Sequence, residues 1–207
     1  MPREVRWEYM FVDELEAALA ACPVLYMPYG LCEPHGPQSA LGNDALRAWA
    51  FTRRAAERFG GIVAPPFFWN VHGFGIYSAW GQAVIGSRRN WLTPLPPWMF
   101  FKNICYHIRA ADALGFHAIV LFSGHSGPHA RDLPALQELL QPYFAARLCF
   151  LLDGAFPEVW ADSSGHGGKV ETAMLWAAHP DCVDLSRLPD AQAPGPHFAM
   201  GADARDT

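Results

Sequence analysis

A 207-residue chain with 51% hydrophobic and 17% charged residues, a formal charge of −5 and a pI near 5.9 has the makeup of a globular protein with much buried surface, not a disordered one. No Lys/Arg cluster exceeds pairs such as Arg53-Arg54 and Arg88-Arg89, which argues against a nucleic-acid footprint. Cysteines 22, 32, 105, 149 and 182 are widely spaced with no CxxC, the N-terminus MPREVRWEYM is too charged for a secretory leader, and no run approaches the roughly 18 apolar residues of a membrane span; a cytoplasmic protein is expected.

Along the chain, Asp13 to Ala21 reads as a short amphipathic helix stopped by Pro23, and Val24-LYMPYG as a buried strand. After the loop Gly30-LCEPHGPQSALGND, residues Asp44 to Phe59 have helical periodicity, with Asp44 able to cap and Gly60-Gly61 to stop the helix. Ile62-VAPPFF resumes as a strand. Trp69 to Pro97, rich in Gly, Trp, Asn and Pro, reads as a long loop of the kind that usually carries function. Trp98 to Leu114 is a helix, His117-AIVLF a strand, Leu133 to Phe144 a helix, Arg147-LCFLLD a strand, and Val170 to Ala178 a helix after Gly165-HGG. From about Ser186 the tail is Pro/Ala/Gly-rich and irregular. Alternating strands and helices predict one α/β domain over 1–207, a three-layer α/β/α sandwich with a mainly parallel sheet.

In open parallel sheets ligands gather beyond the carboxyl ends of the strands. Glu33, His35 and Asp44 follow the first strand; Ser123, His125 and His129 the strand at 118–122; Asp153 the strand at 148–152, with His166 and Glu171 a little further on. Two prolines that fix φ and a glycine that frees it hold Glu33 and His35 in an orientation regular structure does not allow. Carboxylate and imidazole ligands suit zinc, manganese or iron(II) and do not suit calcium. Each residue also has a plainer reading: Asp44 as an N-cap, His125 as a tight-turn residue, His72 and His129 as satisfied histidines, Glu171 as a first-turn helix glutamate favoured by the dipole.

The segment Gly30-LCEPHGPQSALGNDALRAWAFTRRAAERFGGIVAPP resembles the signature of the creatininase family of metal-dependent amidohydrolases. Glu33, His35, Gly36, Pro37, Leu41, Gly42 and Asp44 match its pattern, while Gln38, Ala40 and Asn43 replace its His, Pro and Thr. Ser123-GHSGPHA is similar to the family's Asn-Gly-His-Gly-Gly-Asn turn, and His166-GGKVETAMLWAAHPDCVDL to its His-Gly-Gly-x-x-Glu-Thr helix start. The three blocks stand in the family's order over about Val24 to Leu185.

The resemblance implies a binuclear centre of two divalent ions (Zn, Mn or Fe) with Glu33, His35, Asp44 and His125 as ligands, Asp44 bridging. Gly127 stands where the family's namesake has a glutamate ligand, leaving the second ion more open, completed by Glu171, or absent. His166 falls on a catalytic position, with Glu171 a ligand or an orienting group. Ser126 and Asp162 replace a Tyr and a Trp, which speaks against creatinine; Ser126 is a candidate substrate contact. The expected activity is hydrolysis of a cyclic amide, lactam or formamide by a metal-activated water, with a creatininase-like peptidase of peptide-cofactor maturation and a non-catalytic metal-binding relative as alternatives. The expected partners are a small amide-type substrate and further copies of the chain, hexamers included, and neither nucleic acid nor membrane. The ending Met200-GADARDT looks like the start of a longer family stretch cut short.

Overall fold

A computed structural model describes residues 4–72, 92–126, 129–156 and 166–188. Helix α1 (Val12–Ala21) leads into strand β1 (Val24–Tyr29), followed by helix α2 (Asn43–Phe59) and strand β2 (Ile62–Val63). Next come helix α3 (Pro97–Ala113), strand β3 (Ala118–Ser123), helix α4 (His129–Leu140), strand β4 (Arg147–Leu152) and helix α5 (Lys169–Ala178). Among the described residues the strands form one all-parallel sheet in the order β2-β1-β3-β4.

Helices cover both faces. Leu25, Met27 and Tyr29 of β1 join Ile119 and Leu121 of β3 in a core closed by Ala18 of α1, Phe100, Ile104 and Ile108 of α3, and Leu133 of α4. On the other face Val63 and Tyr26 pack against Ala56 and Trp49 of α2, which in turn packs on α5. The small side chains Ala45, Ala48, Thr52 and Ala56, buried along α2, let this helix lie close to the sheet. The expected three-layer arrangement is therefore present.

The chain leaves β1 toward β2 on one side, while β3 and β4 extend the sheet on the other. The strand order thus reverses between β1 and β3, and a crevice opens beyond their carboxyl ends. The loops after these strands begin at Gly30 and Gly124.

Two elements differ from the sequence expectation. The strand expected over 62–68 pairs for two residues only, Leu25↔Ile62 and Tyr26↔Val63. Pro28 in β1 and Pro65-Pro66 in the partner segment lack N–H donors on their shared edge, so only isolated bonds continue: Ala64 N–H to Tyr26 O and Phe67 N–H to Pro28 O, at 2.8 and 3.0 Å. Helix α4 begins at His129 instead of Leu133, with Pro134 accommodated inside it, and ends at Leu140 before a 3₁₀ turn at Gln141–Tyr143. Of the long segment expected as a loop, 73–91 lies outside the described residues, as does 189–207 of the irregular tail; residues 69–72 and 92–96 meet through an Asn70↔Pro94 bridge.

The end of β3 and the first turn of α2 touch backbone to backbone. A Cβ at Gly124 would lie 2.2 Å from the Asp44 carbonyl oxygen. Gly124→Ala should therefore push α2 from the sheet and cost about 1–3 kcal/mol in chemical denaturation, as overpacking does. A change near zero would show that the helix start is not held there.

Candidate metal centre

The loop after β1 is shaped by a turn at Gly36, whose φ of +84° suits glycine. It brings Glu33 and His35 back over the sheet end, where both are buried. Gln38, which stands in place of the family's histidine, ties this loop to the next block. Its amide donates to His35 O, Gly167 O and the Thr172 hydroxyl at 3.0–3.1 Å.

Asp44 does not cap α2. The N-cap is Gly42, and the Asp44 carboxylate, 1% exposed, turns inward from the first turn. Its Oδ1 lies 2.9 Å from His35 Nε2 and its Oδ2 3.2 Å from His125 Nδ1. One carboxylate thus joins the loops after β1 and β3.

The two histidines are presented in the same way. His35 Nδ1 faces the Glu33 carbonyl at 3.1 Å, and His125 Nε2 faces the Val71 carbonyl at 3.1 Å. A carbonyl only accepts, so each of those ring nitrogens carries its proton, an outer hydrogen bond that fixes the tautomer. The remaining nitrogens then aim lone pairs at carboxylates. For His35 Nε2 these are Asp44 at 2.9 Å and Glu171 Oε2 at 3.6 Å; for His125 Nδ1 they are Glu33 Oε1 at 2.9 Å and Asp44 Oδ2 at 3.2 Å. Among the described residues, buried His35 Nε2 and Asp44 Oδ2 have no hydrogen-bond partner. Acceptor set against acceptor inside a protein requires a cation between them, either a proton or a metal ion.

Three groups of ligand-type atoms, each within 4.8 Å of one another, result: Glu33, Asp44 and His125; His35, Asp44 and Glu171; and Glu33, His35 and His166. Without a metal ion, protons fill the role. Burial disfavours the imidazolium of His35, but Asp44 and Glu171 outweigh it and lift the pKa to about 9. His125 is likewise raised well above its ordinary value by Asp44 and Glu33 against the cost of burial. Burial also opposes the charge on Glu33, yet hydrogen bonds with His125 and His72 hold its carboxyl well below the usual range.

His166 stacks on His35 with ring centroids 4.3 Å apart. Its Nε2 donates to Pro34 O at 2.7 Å, which leaves Nδ1 turned toward Glu33 Oε1 at 3.9 Å, and its side chain is 30% exposed. Glu171 sits in the first turn of α5 and is held at both oxygens, Oε1 by Arg47 Nη2 at 2.8 Å and Oε2 by the Gly167 N–H at 2.6 Å. Ser126 is exposed directly after His125, and its carbonyl receives the His129 N–H. Gly127 and Asp162 lie outside the described residues.

His72 and His129, both readable from sequence as satisfied histidines, separate. His72 Nε2 contacts Glu33 Oε2 at 2.9 Å. His129 is buried against Phe100, bonds Asn70 Oδ1 at 2.6 Å, and is kept neutral by burial and by His125, its pKa lowered to about 3. It belongs to the packing.

Arg47 was not foreseen. Charged helix residues are exposed by default, yet this guanidinium is 1% exposed and bonds Asp153, Glu171, Asp44, Asn43 and the Gly124 carbonyl. The available signal was its i,i+3 spacing from Asp44, which puts both on one helix face.

Comparison with known proteins identifies the family. The creatininase family profile, described as creatinine amidohydrolase, matches residues 8–207. A creatinine amidohydrolase of Pseudomonas putida is 28% identical over 207 aligned positions, covering 90% of this chain and 75% of that protein. Among solved structures, a zinc–zinc form of a mutant creatininase aligns at 26% identity with a TM-score of 0.67, and a manganese creatininase at 24% with 0.69; each alignment covers 92% of this chain and 80% of the other. The chain belongs to the creatininase family of metal-dependent amidohydrolases.

The histidine protonation carries a pH signature. Because the folded pKa of His35, about 9, lies above the ordinary 6.5, proton binding stabilises the ion-free fold below about pH 6.5 and the contribution fades as pH rises through 9. Chelator-treated protein should lose stability on the order of 3 kcal/mol across that window, and saturating zinc or manganese should flatten the curve. A melting temperature that rises between pH 6.5 and 9 without metal would contradict this assignment of charges.

Proposed function

We propose that the chain hydrolyses a non-peptide C–N bond in a small cyclic amide, lactam or formamide, with a divalent ion held by Glu33, Asp44 and His125. The observation that carries this reading is the set of buried lone pairs turned on one another, which a dication satisfies. The zinc and manganese forms of the related structures support the type of ion. Such an ion supplies Lewis acidity, polarising a carbonyl and acidifying water near neutral pH.

The chain's own groups divide the remaining work. Val71 O and Glu33 O hold His125 and His35 in one tautomer. His72 occupies Glu33 Oε2, so that Oε1 is the oxygen turned toward His125. His166, fixed at Nε2 and partly exposed, passes a proton through Nδ1 to the leaving nitrogen. Glu171 orients His35 and keeps α5 docked on the loop after β1. Ser126, beside His125, meets the substrate, and a small hydroxyl there favours a substrate other than creatinine.

The five free cysteines fit a cytoplasmic protein. Exposed Trp98, Tyr106 and Tyr143 suit contacts between copies in a homo-oligomer. Among the described residues no helix is long and apolar enough to cross a membrane.

The direct test is a hydrolysis screen of lactams, formamides and short peptides with metal-loaded protein. Turnover of the first two classes supports the reading, peptide cleavage alone favours the peptidase alternative, and metal-loaded protein that hydrolyses none of the three favours a non-catalytic metal-binding relative. Two variants examine the roles. Asp44→Asn should lose bound metal, and full occupancy in it would remove Asp44 from the ligand set. His166→Ala should keep the metal while turnover falls roughly a hundredfold or more; unchanged turnover would take His166 out of the reaction.

A further inference from the structure

The candidate cation groups are not equivalent. Asp44 belongs to two of them, one completed by Glu33 and His125 and the other by His35 and Glu171. The second already has a permanent positive charge built against it. Arg47 Nη2 lies 2.8 Å from Glu171 Oε1 and 3.3 Å from Asp44 Oδ1, so one nitrogen touches two of the three residues of that group.

The guanidinium is locked there. Nη2 also donates to Gly124 O at 3.0 Å, Nη1 to Asp153 Oδ2 at 2.8 Å, and Nε to Asn43 Oδ1. The donors of the planar fork are thus engaged on α2, the loop after β3, the turn after β4, and α5, which leaves the side chain no way to swing aside without breaking buried bonds. Nor does it escape by losing its proton, since arginine stays charged in proteins. Asn43, which stands where the family pattern has threonine, supplies one of the acceptors that hold it.

The group of Glu33, Asp44 and His125 is different. Among the described ion pairs Arg47 reaches it only at Asp44 Oδ1, whereas Asp44 Oδ2 faces His125 and Glu33 faces the histidines 72, 125 and 166. A divalent ion there can use Asp44 Oδ2, the oxygen beside His125 and not the one the guanidinium touches. On the other side a dication would share carboxylates with an immovable guanidinium in a buried, weakly screened setting.

We propose that Arg47 takes the place of a second metal ion: the chain binds one divalent cation, at Glu33, Asp44 and His125, and the guanidinium serves Asp44 and Glu171 where a binuclear relative would hold another. The inference rests on the metal-dependent reading above and departs from the two-ion centre expected from the family resemblance. Asp44 then bridges an ion and an arginine instead of two ions.

Metal stoichiometry tests it without recourse to activity. Protein stripped with chelator, loaded with excess Mn²⁺ and freed of unbound metal is assayed by elemental analysis, and by electron paramagnetic resonance, where a lone Mn²⁺ and a spin-coupled pair differ. The full chain should hold one ion per chain with an uncoupled spectrum, Arg47→Lys should also hold one, and Arg47→Met should hold two with a coupled spectrum. Two ions in the unaltered chain overturn the proposal while leaving the metal-dependent reading intact; no ion in it overturns that reading itself. One ion in a folded Arg47→Met overturns the role of the arginine. Should Arg47→Met fail to fold, the counts for the unaltered chain and Arg47→Lys still decide.

Discussion

Buried negative charge is the constraint from which the rest of the structure follows. Glu33, Asp44, Asp153 and Glu171 are each 6% exposed or less, and they gather at one end of the sheet. Isolated carboxylates in such a place are expensive, so the fold must bring positive partners to them. It does so in two ways. Arg47 provides a fixed charge to three of the four, and histidines 35 and 125 provide nitrogens that accept either a proton or a metal ion. The permanent charge stabilises the scaffold, and the exchangeable ones leave room for chemistry.

The sheet topology is what makes this gathering affordable in geometry. With β1 and β3 adjacent and their connections leaving in opposite directions, the loops after them meet over the crevice while α2 starts directly beneath. Gly124 lets the end of β3 touch Asp44 at the backbone. Gln38 then draws the start of α5 onto the loop after β1. Residues 44 and 171, far apart along the chain, thereby face the same imidazole, His35.

Much of this was readable from the residues. Each of the longer strands is an apolar run bounded by Gly, Pro or a polar cluster, and the placement of Glu33, His35 and His125 just after such runs marked the sheet edge. What was not readable depends on partners distant in sequence. The shortness of β2 comes from prolines on two strands that face each other only once the strands pair. Asp44 looked able to cap its helix because the local pattern allows it; burial opposite two histidines turned the side chain the other way. Arg47 went unmarked because nothing local announces Asp153 and Glu171 arriving from other elements. His129, which shares its stretch with His125, was packed into the core by Phe100, a contact no spacing rule encodes.

The central claim is that the lone pairs of Glu33, Asp44 and His125 converge to hold a divalent cation. Anomalous diffraction from crystals grown with Mn²⁺ tests it most directly. The account predicts a strong anomalous peak among those three side chains and density for the Arg47 guanidinium, with no peak, on Asp44 and Glu171. A map with no peak beside Glu33 and His125, or with those side chains turned apart, would contradict it.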